Sequence, residues 1–207
     1  ARARVCLDCH YGSADGNQFV THSMMAAGHP RVSFELDLFS ALQQHHDVDG
    51  DYVARKGDPD SVRMWAVGQA EAVRRSTDLF ARPDYASYGI FPEFYFYDCH
   101  SCHRQITDGP QRRLTFETNP ARPIPFGQPP FNDENMIMLG AAARVIAPQL
   151  AQRFERDSRA FHQAFARDRS TAVAAGQALR ASARALADAF SSAPMGREQS
   201  FAIIQSI

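Results

Sequence analysis

The sequence predicts a mainly α-helical fold, and three observations carry that prediction. Apolar residues recur at helical spacing through residues 61–80 and again across 132–207. Strand-like composition is confined to one aromatic run, Phe91-Pro92-Glu93-Phe94-Tyr95-Phe96-Tyr97. Two pentapeptides, Cys6-Leu7-Asp8-Cys9-His10 and Cys99-His100-Ser101-Cys102-His103, share the pattern C-x-x-C-H, which fits a single helical turn.

That pattern is the attachment signature of a c-type haem. The two thiols, Cys6 with Cys9 and Cys99 with Cys102, add to the porphyrin vinyl groups. The histidine that follows, His10 or His103, then lies under the iron as proximal ligand. Four cysteines in two C-x-x-C pairs also fit one structural Zn²⁺ site, or disulfides, or redox dithiols. The histidine after each pair separates these readings, because zinc ribbons and disulfides do not require it. All 4 cysteines of the chain fall in the two motifs, which leaves no odd thiol. The expectation is two covalently bound haem c groups, and the first half of the chain should be packed around them.

Composition agrees with a globular protein. Hydrophobic residues make up 44% and charged residues 22%, the usual balance for a folded domain. A net charge of −1 gives no basic field for nucleic acid. No apolar run reaches the ~20 residues that span a bilayer. The 15 Phe and 6 Tyr are many for this length and suit packing around flat porphyrins. Haem c is attached outside the cytoplasm, so the expected location is periplasmic or extracellular. The first motif follows Ala1-Arg2-Ala3-Arg4-Val5 directly, which implies that a targeting segment has been removed upstream.

In chain order, Asn17–Ala27 has helical composition and stops at Gly28 and Pro30. On a helix reaching that far, His22, Met25, Ala26 and His29 share one face. Irons capped by imidazole on both sides need distal histidines, and His22 and His29 are the nearest supply. Met25 is a weaker ligand candidate, since methionine at this spacing usually packs. Residues 33–46 predict a second helix with Ser33 as cap, Glu35 in its first turn, and Leu38, Leu42 and His45 on one face. His45-His46 ends it, and His46 is the alternative distal ligand; a surface pair favoured by the helix dipole is the competing reading. The acidic stretch Asp47–Asp51 lacks the spacing and closing Glu of an EF-hand and reads as a solvated turn.

Residues 61–80 give the clearest amphipathic helix, with Val62, Trp65, Gln69, Ala72, Val73, Leu79 and Phe80 as its inward stripe. Arg82-Pro83-Asp84 ends it. The run Phe91–Tyr97 then leads into the second motif and is expected to wall its haem. Arg104, Arg112 and Arg113 are candidate propionate partners, although surface arginines are more often simply solvated. Pro120, Pro123, Pro125, Pro129 and Pro130 mark an extended connection. Beyond it, three apolar faces are expected: Met136/Leu139/Ala143/Ile146, Leu150/Phe154/Phe161/Phe165 and Leu179/Leu186/Phe190, with Pro148 separating the first two. His162 reads as structural or exposed, and the apolar Phe201–Ile207 as a docking segment. The division is thus a dihaem cytochrome c domain at 1–118, a proline-rich connection at 119–131, and at 132–207 an antiparallel helical bundle or hairpin packed on or beside it.

The run Thr21-His22-Ser23-Met24-Met25-Ala26-Ala27-Gly28-His29-Pro30-Arg31-Val32-Ser33-Phe34-Glu35-Leu36-Asp37 resembles a segment of multihaem c-type cytochromes related to the electron carrier that serves hydroxylamine oxidoreductase. Gln44-His45-His46, Trp65-Ala66-Val67-Gly68-Gln69 and Phe96-Tyr97-Asp98 with the second motif are similar to that family as well. The likeness covers about residues 5–105 and returns weakly at Asn132-Asp133-Glu134-Asn135. Many members carry a second histidine where this chain has Arg104, and further C-x-x-C-H motifs upstream. The resemblance implies bis-His haems in close contact, electron transfer between redox protein partners, and His22, His29 and His46 as distal positions. Two other readings stay open. One is a haem redox enzyme with one open iron site. The other is a subunit of an extracellular homo-oligomer or filament, in which a spare histidine ligates a neighbour's haem.

Overall fold

The computed structural model describes every residue except 1, 14, 16, 17, 31–34, 45, 87–92 and 105–128. Among the described residues the chain forms ten α-helices and no extended strand. They are α1 (Arg2–His10), α2 (His22–Ala26), α3 (Leu36–Leu42), α4 (Gly50–Lys56), α5 (Ser61–Phe80), α6 (Cys99–Cys102), α7 (Glu134–Ile146), α8 (Pro148–Phe165), α9 (Arg169–Ser192) and α10 (Arg197–Gln205).

The long helix α5 is the axis. Asp60 caps it by accepting the Arg63 N–H, and Ala66, Gly68, Ala70, Ala72, Val73, Leu79 and Phe80 are buried along it. Its small residues let neighbours approach closely. At Gly68 an added Cβ would stand 3.0 Å from the Leu36 Cβ, so α3 seats its one buried residue there. α9 packs along α5, α8 returns antiparallel to α9 across the short turn 166–168, and α7 packs against both α5 and α8. Of the stripes expected in this half, Met136, Leu139, Ala143, Phe154, Phe161, Leu179, Leu186 and Phe190 are buried, and Ile146, Leu150 and Phe165 are half-buried against the same core. Pro148 opens α8 at its first turn, where a missing N–H costs nothing.

Among the described residues an apolar core runs from Phe19 through α5 to Ile203 on α10. Its centre is aromatic. Phe80 meets Phe96, Phe131 and Phe161 edge-on at 5.5–5.8 Å, and Phe131 meets Phe161 at 4.8 Å.

Several helices differ from expectation. The predicted helix at 17–27 begins at His22, because Thr21 caps it with its hydroxyl accepting from Met24. Upstream, Gly12 at φ +123° turns the chain back after α1, and Phe19 enters the core, stacked on Tyr85 at 4.5 Å. The helix predicted at 33–46 spans Leu36–Leu42, with Glu35 as cap; Ser33 and His45 lie outside the described residues. Leu38 and Leu42 face outward, at 53% and 70% exposure. The acidic turn Asp47–Asp51 starts α4, where Asp49 accepts the Tyr52 N–H. Phe94–Phe96 forms a single 3₁₀ turn, and Tyr97 makes an isolated bridge to Phe131.

Candidate functional site

The two motifs occupy different settings. Cys6, Cys9 and His10 lie in the last turns of α1. Ala3 and Leu7, four residues apart, bury a neighbouring face of that helix against α5. Cys6 is half-buried, Cys9 exposed and His10 half-buried. Burial pushes the Cys6 thiol up, and the Arg2 charge counters this in part. Ion pairs seat α1 on α5. Arg4 Nε donates to Glu71 Oε1 at 2.8 Å, and Arg75 Nη2 donates to Asp8, which stands between the two cysteines. Glu71 is nearly fully buried. Although burial itself pushes its carboxyl up, hydrogen bonds and charge from Arg4 and Arg74 hold it below the usual carboxylate range.

Cys99 and Cys102 lie on α6, a single turn, with His103 just past its end and exposed. Backbone straps hold this turn. The Asp98 N–H donates to the Pro130 carbonyl at 2.9 Å, and the Asn132 N–H to the Phe96 carbonyl at 2.8 Å. Ser101 Oγ donates to Asp98 at 2.8 Å. Tyr97 stands beside Cys102, and burial, with that thiol adding to it, pushes the Tyr97 hydroxyl up.

His22 comes to this second motif. Its ring centre lies 5.9 Å from that of His103, the planes tilted by 36°. Two imidazoles on opposite sides of one metal ion, with metal–nitrogen bonds of about 2 Å, place their ring centres about 6 Å apart. The His22/His103 spacing therefore fits an iron held between them. Glu93 ties the start of α2 to the chain leading into this motif: one carboxylate oxygen accepts the His22 backbone N–H and the other accepts the Tyr95 N–H, each at 2.7 Å. Phe94 packs edge-on against the His22 ring at 5.3 Å. A link across 71 positions leaves no trace in periodicity, which is why Glu93 escapes a reading of the sequence.

The other distal candidates stand apart. His29 is exposed beyond Gly28, and neither His29 nor His46 packs against a proximal histidine among the described residues. The His29 Nδ1 donates to the Pro30 carbonyl at 2.7 Å, so a neutral ring carries its free lone pair on Nε2. His46 lies on Tyr52, ring centres 5.1 Å apart, and the Arg2 guanidinium covers the same Tyr52. Met25 packs against the core instead of pointing free. His162 is buried, 3.3 Å from Asp133.

The aromatic run splits in use. Tyr95 and Phe96 are buried in the protein's own core, while Phe94 stays exposed beside His22. Trp65, half-buried on α5, lines an apolar cleft of about 280 Å³ with Val62, Met138 and Ile203. Arg104 is exposed, and Arg112 and Arg113 lie outside the described residues.

All four cysteines are free thiols, and no group of three or more His, Cys, Asp or Glu converges to hold a bare metal ion among the described residues. A single zinc site joining the two C-x-x-C pairs is therefore not assembled. No described helix is long and apolar enough to cross a membrane. Compared with models of protein families, with curated proteins and with solved structures, the chain matches none.

Proposed function

We propose that this chain is a dihaem c-type cytochrome that carries electrons between redox partners through low-spin, bis-His haems. The observation that supports the proposal most is His22 lying beside His103, ring centres 5.9 Å apart, at an intact C-x-x-C-H turn. Cys6, Cys9, Cys99 and Cys102 would hold the two haem groups as thioethers, each S–H adding across a vinyl double bond, and His10 and His103 would be the proximal ligands. When bound, haem c supplies a one-electron Fe(III)/Fe(II) couple. The protein then holds the ligands and limits water at each site. For the second motif the distal ligand is His22. For the first it is His29, whose free Nε2 is the ligating nitrogen; His46 lies near Arg2, at the end of α1 that is about 12 Å from His10. The partners are redox proteins, and the location is periplasmic or extracellular, where haem c is attached.

Haem staining under denaturing conditions and the mass of the intact chain test the attachment: two haems per chain are expected. Low-spin spectra in both redox states, without rapid CO binding by the reduced protein, support electron carriage. Rapid CO binding would move the reading to a haem enzyme with an open iron.

A further inference from the structure

We propose that the ion pair between Asp8 and Arg75 sets the reduction potential of the haem on the first motif, making both residues electrostatic tuners of that haem alone. The inference rests on the two-haem reading above.

Asp8 occupies the spacer between Cys6 and Cys9, on the side of α1 turned toward α5, so its carboxylate stands about one helix width from the face that carries Cys6, Cys9 and His10. Arg75 reaches it from α5, with only 15% of its side chain exposed, and its Nε is buried without a partner. The neighbouring charges are already matched among themselves. Arg4 and Arg74 hold Glu71, and Arg74 and Arg180 hold Asp78. Arg75 is thus balanced by Asp8 alone among the described residues. In a half-buried setting, a unit charge left without its partner acts over several ångströms with little screening. Among the described residues the second motif has no such pair: its spacer residues are His100 and Ser101, and Ser101 binds Asp98.

An electrostatic role predicts opposite signs for the two halves of the pair. Asp8→Asn leaves the Arg75 cation bare, disfavours the ferric state and raises the potential of one haem. Arg75→Gln leaves the Asp8 carboxylate bare and lowers the potential of the same haem. Arg75→Lys and the double variant return close to the parent. The other haem should not move.

The holoprotein and each variant would be titrated with dithionite and ferricyanide, following the visible spectrum, with haem content read from the intact mass of the same samples. Opposite shifts confined to one haem support the proposal. Shifts of the same sign, shifts in both haems, or no shift with both haems retained overturn it. Should Asp8→Asn lose a haem, Arg75→Gln and Arg75→Lys decide alone: a lowered potential in the first and a near-parent one in the second support it, and two unmoved potentials overturn it. A parent chain without haem would sink the two-haem reading itself, an outcome separate from any of these.

Discussion

The same five-residue pattern is held in two unlike ways. At the first site it ends a nine-residue helix that lies on α5 through Ala3 and Leu7 and is pinned by Arg4–Glu71 and Asp8–Arg75. At the second it is one turn, its leading segment tied by backbone hydrogen bonds to Pro130 and Asn132, and approached by His22, whose N–H Glu93 accepts. The first is seated by charge on a long helix, the second by straps at the edge of an aromatic core. The lesson is that one local pattern can be seated by quite different surroundings, which the five residues themselves do not specify.

Replacing either cysteine pair removes the largest feature on each side of this contrast. Cys6→Ala with Cys9→Ala should leave one haem per chain by mass, and the survivor should keep the spectrum assigned to the His22/His103 pair. A smaller effect separates the two irons. His22→Ala should turn one of two haems high-spin and leave the other untouched, as read by electron paramagnetic resonance; two low-spin haems would show that His22 does not ligate.

Charge should matter more at the first site. Glu71→Gln removes the charge that Arg4 and Arg74 share and is expected to cost about 2 kcal/mol in denaturant unfolding, below the usual range for a buried pair because Arg4 is half exposed and Arg74 keeps Asp78. The same carboxyl gives the pH dependence its sign. Its folded-state value is lowered, so its contribution is fully present above the unfolded value of about 4.5 and is lost as pH falls through the folded one. Parent and Glu71→Gln stabilities should therefore converge on acidification below that value. The smallest effect belongs to the cap of α2: Thr21→Ala should cost about 1 kcal/mol and broaden the His22-dependent spectral signals, with no change at the first haem.

Legibility followed the range of the interaction. The stripes of α5, α7, α8 and α9 were readable because each repeats within its own helix, as Leu179, Leu186 and Phe190 show by their complete burial. The outward turn of Leu38 and Leu42 was not, because the helix face that meets α5 is chosen by the close approach at Gly68 and Leu36. His22 was legible as a candidate, but its pairing with His103 was not. Tyr95 and Phe96, expected beside a haem, are drawn into the protein core by Phe19, Phe80 and Phe131, none of them adjacent in sequence.

By itself, then, the sequence determined the helical class, the apolar stripes and the two C-x-x-C-H turns, since these depend on spacings of three to four residues that backbone geometry fixes locally. Only the tertiary structure decided that Glu93 accepts the His22 N–H, that His22 lies beside His103 and that Asp8 meets Arg75. Those contacts join residues 67 to 81 positions apart, and they exist because the packing of the other elements on α5 closes the intervening chain.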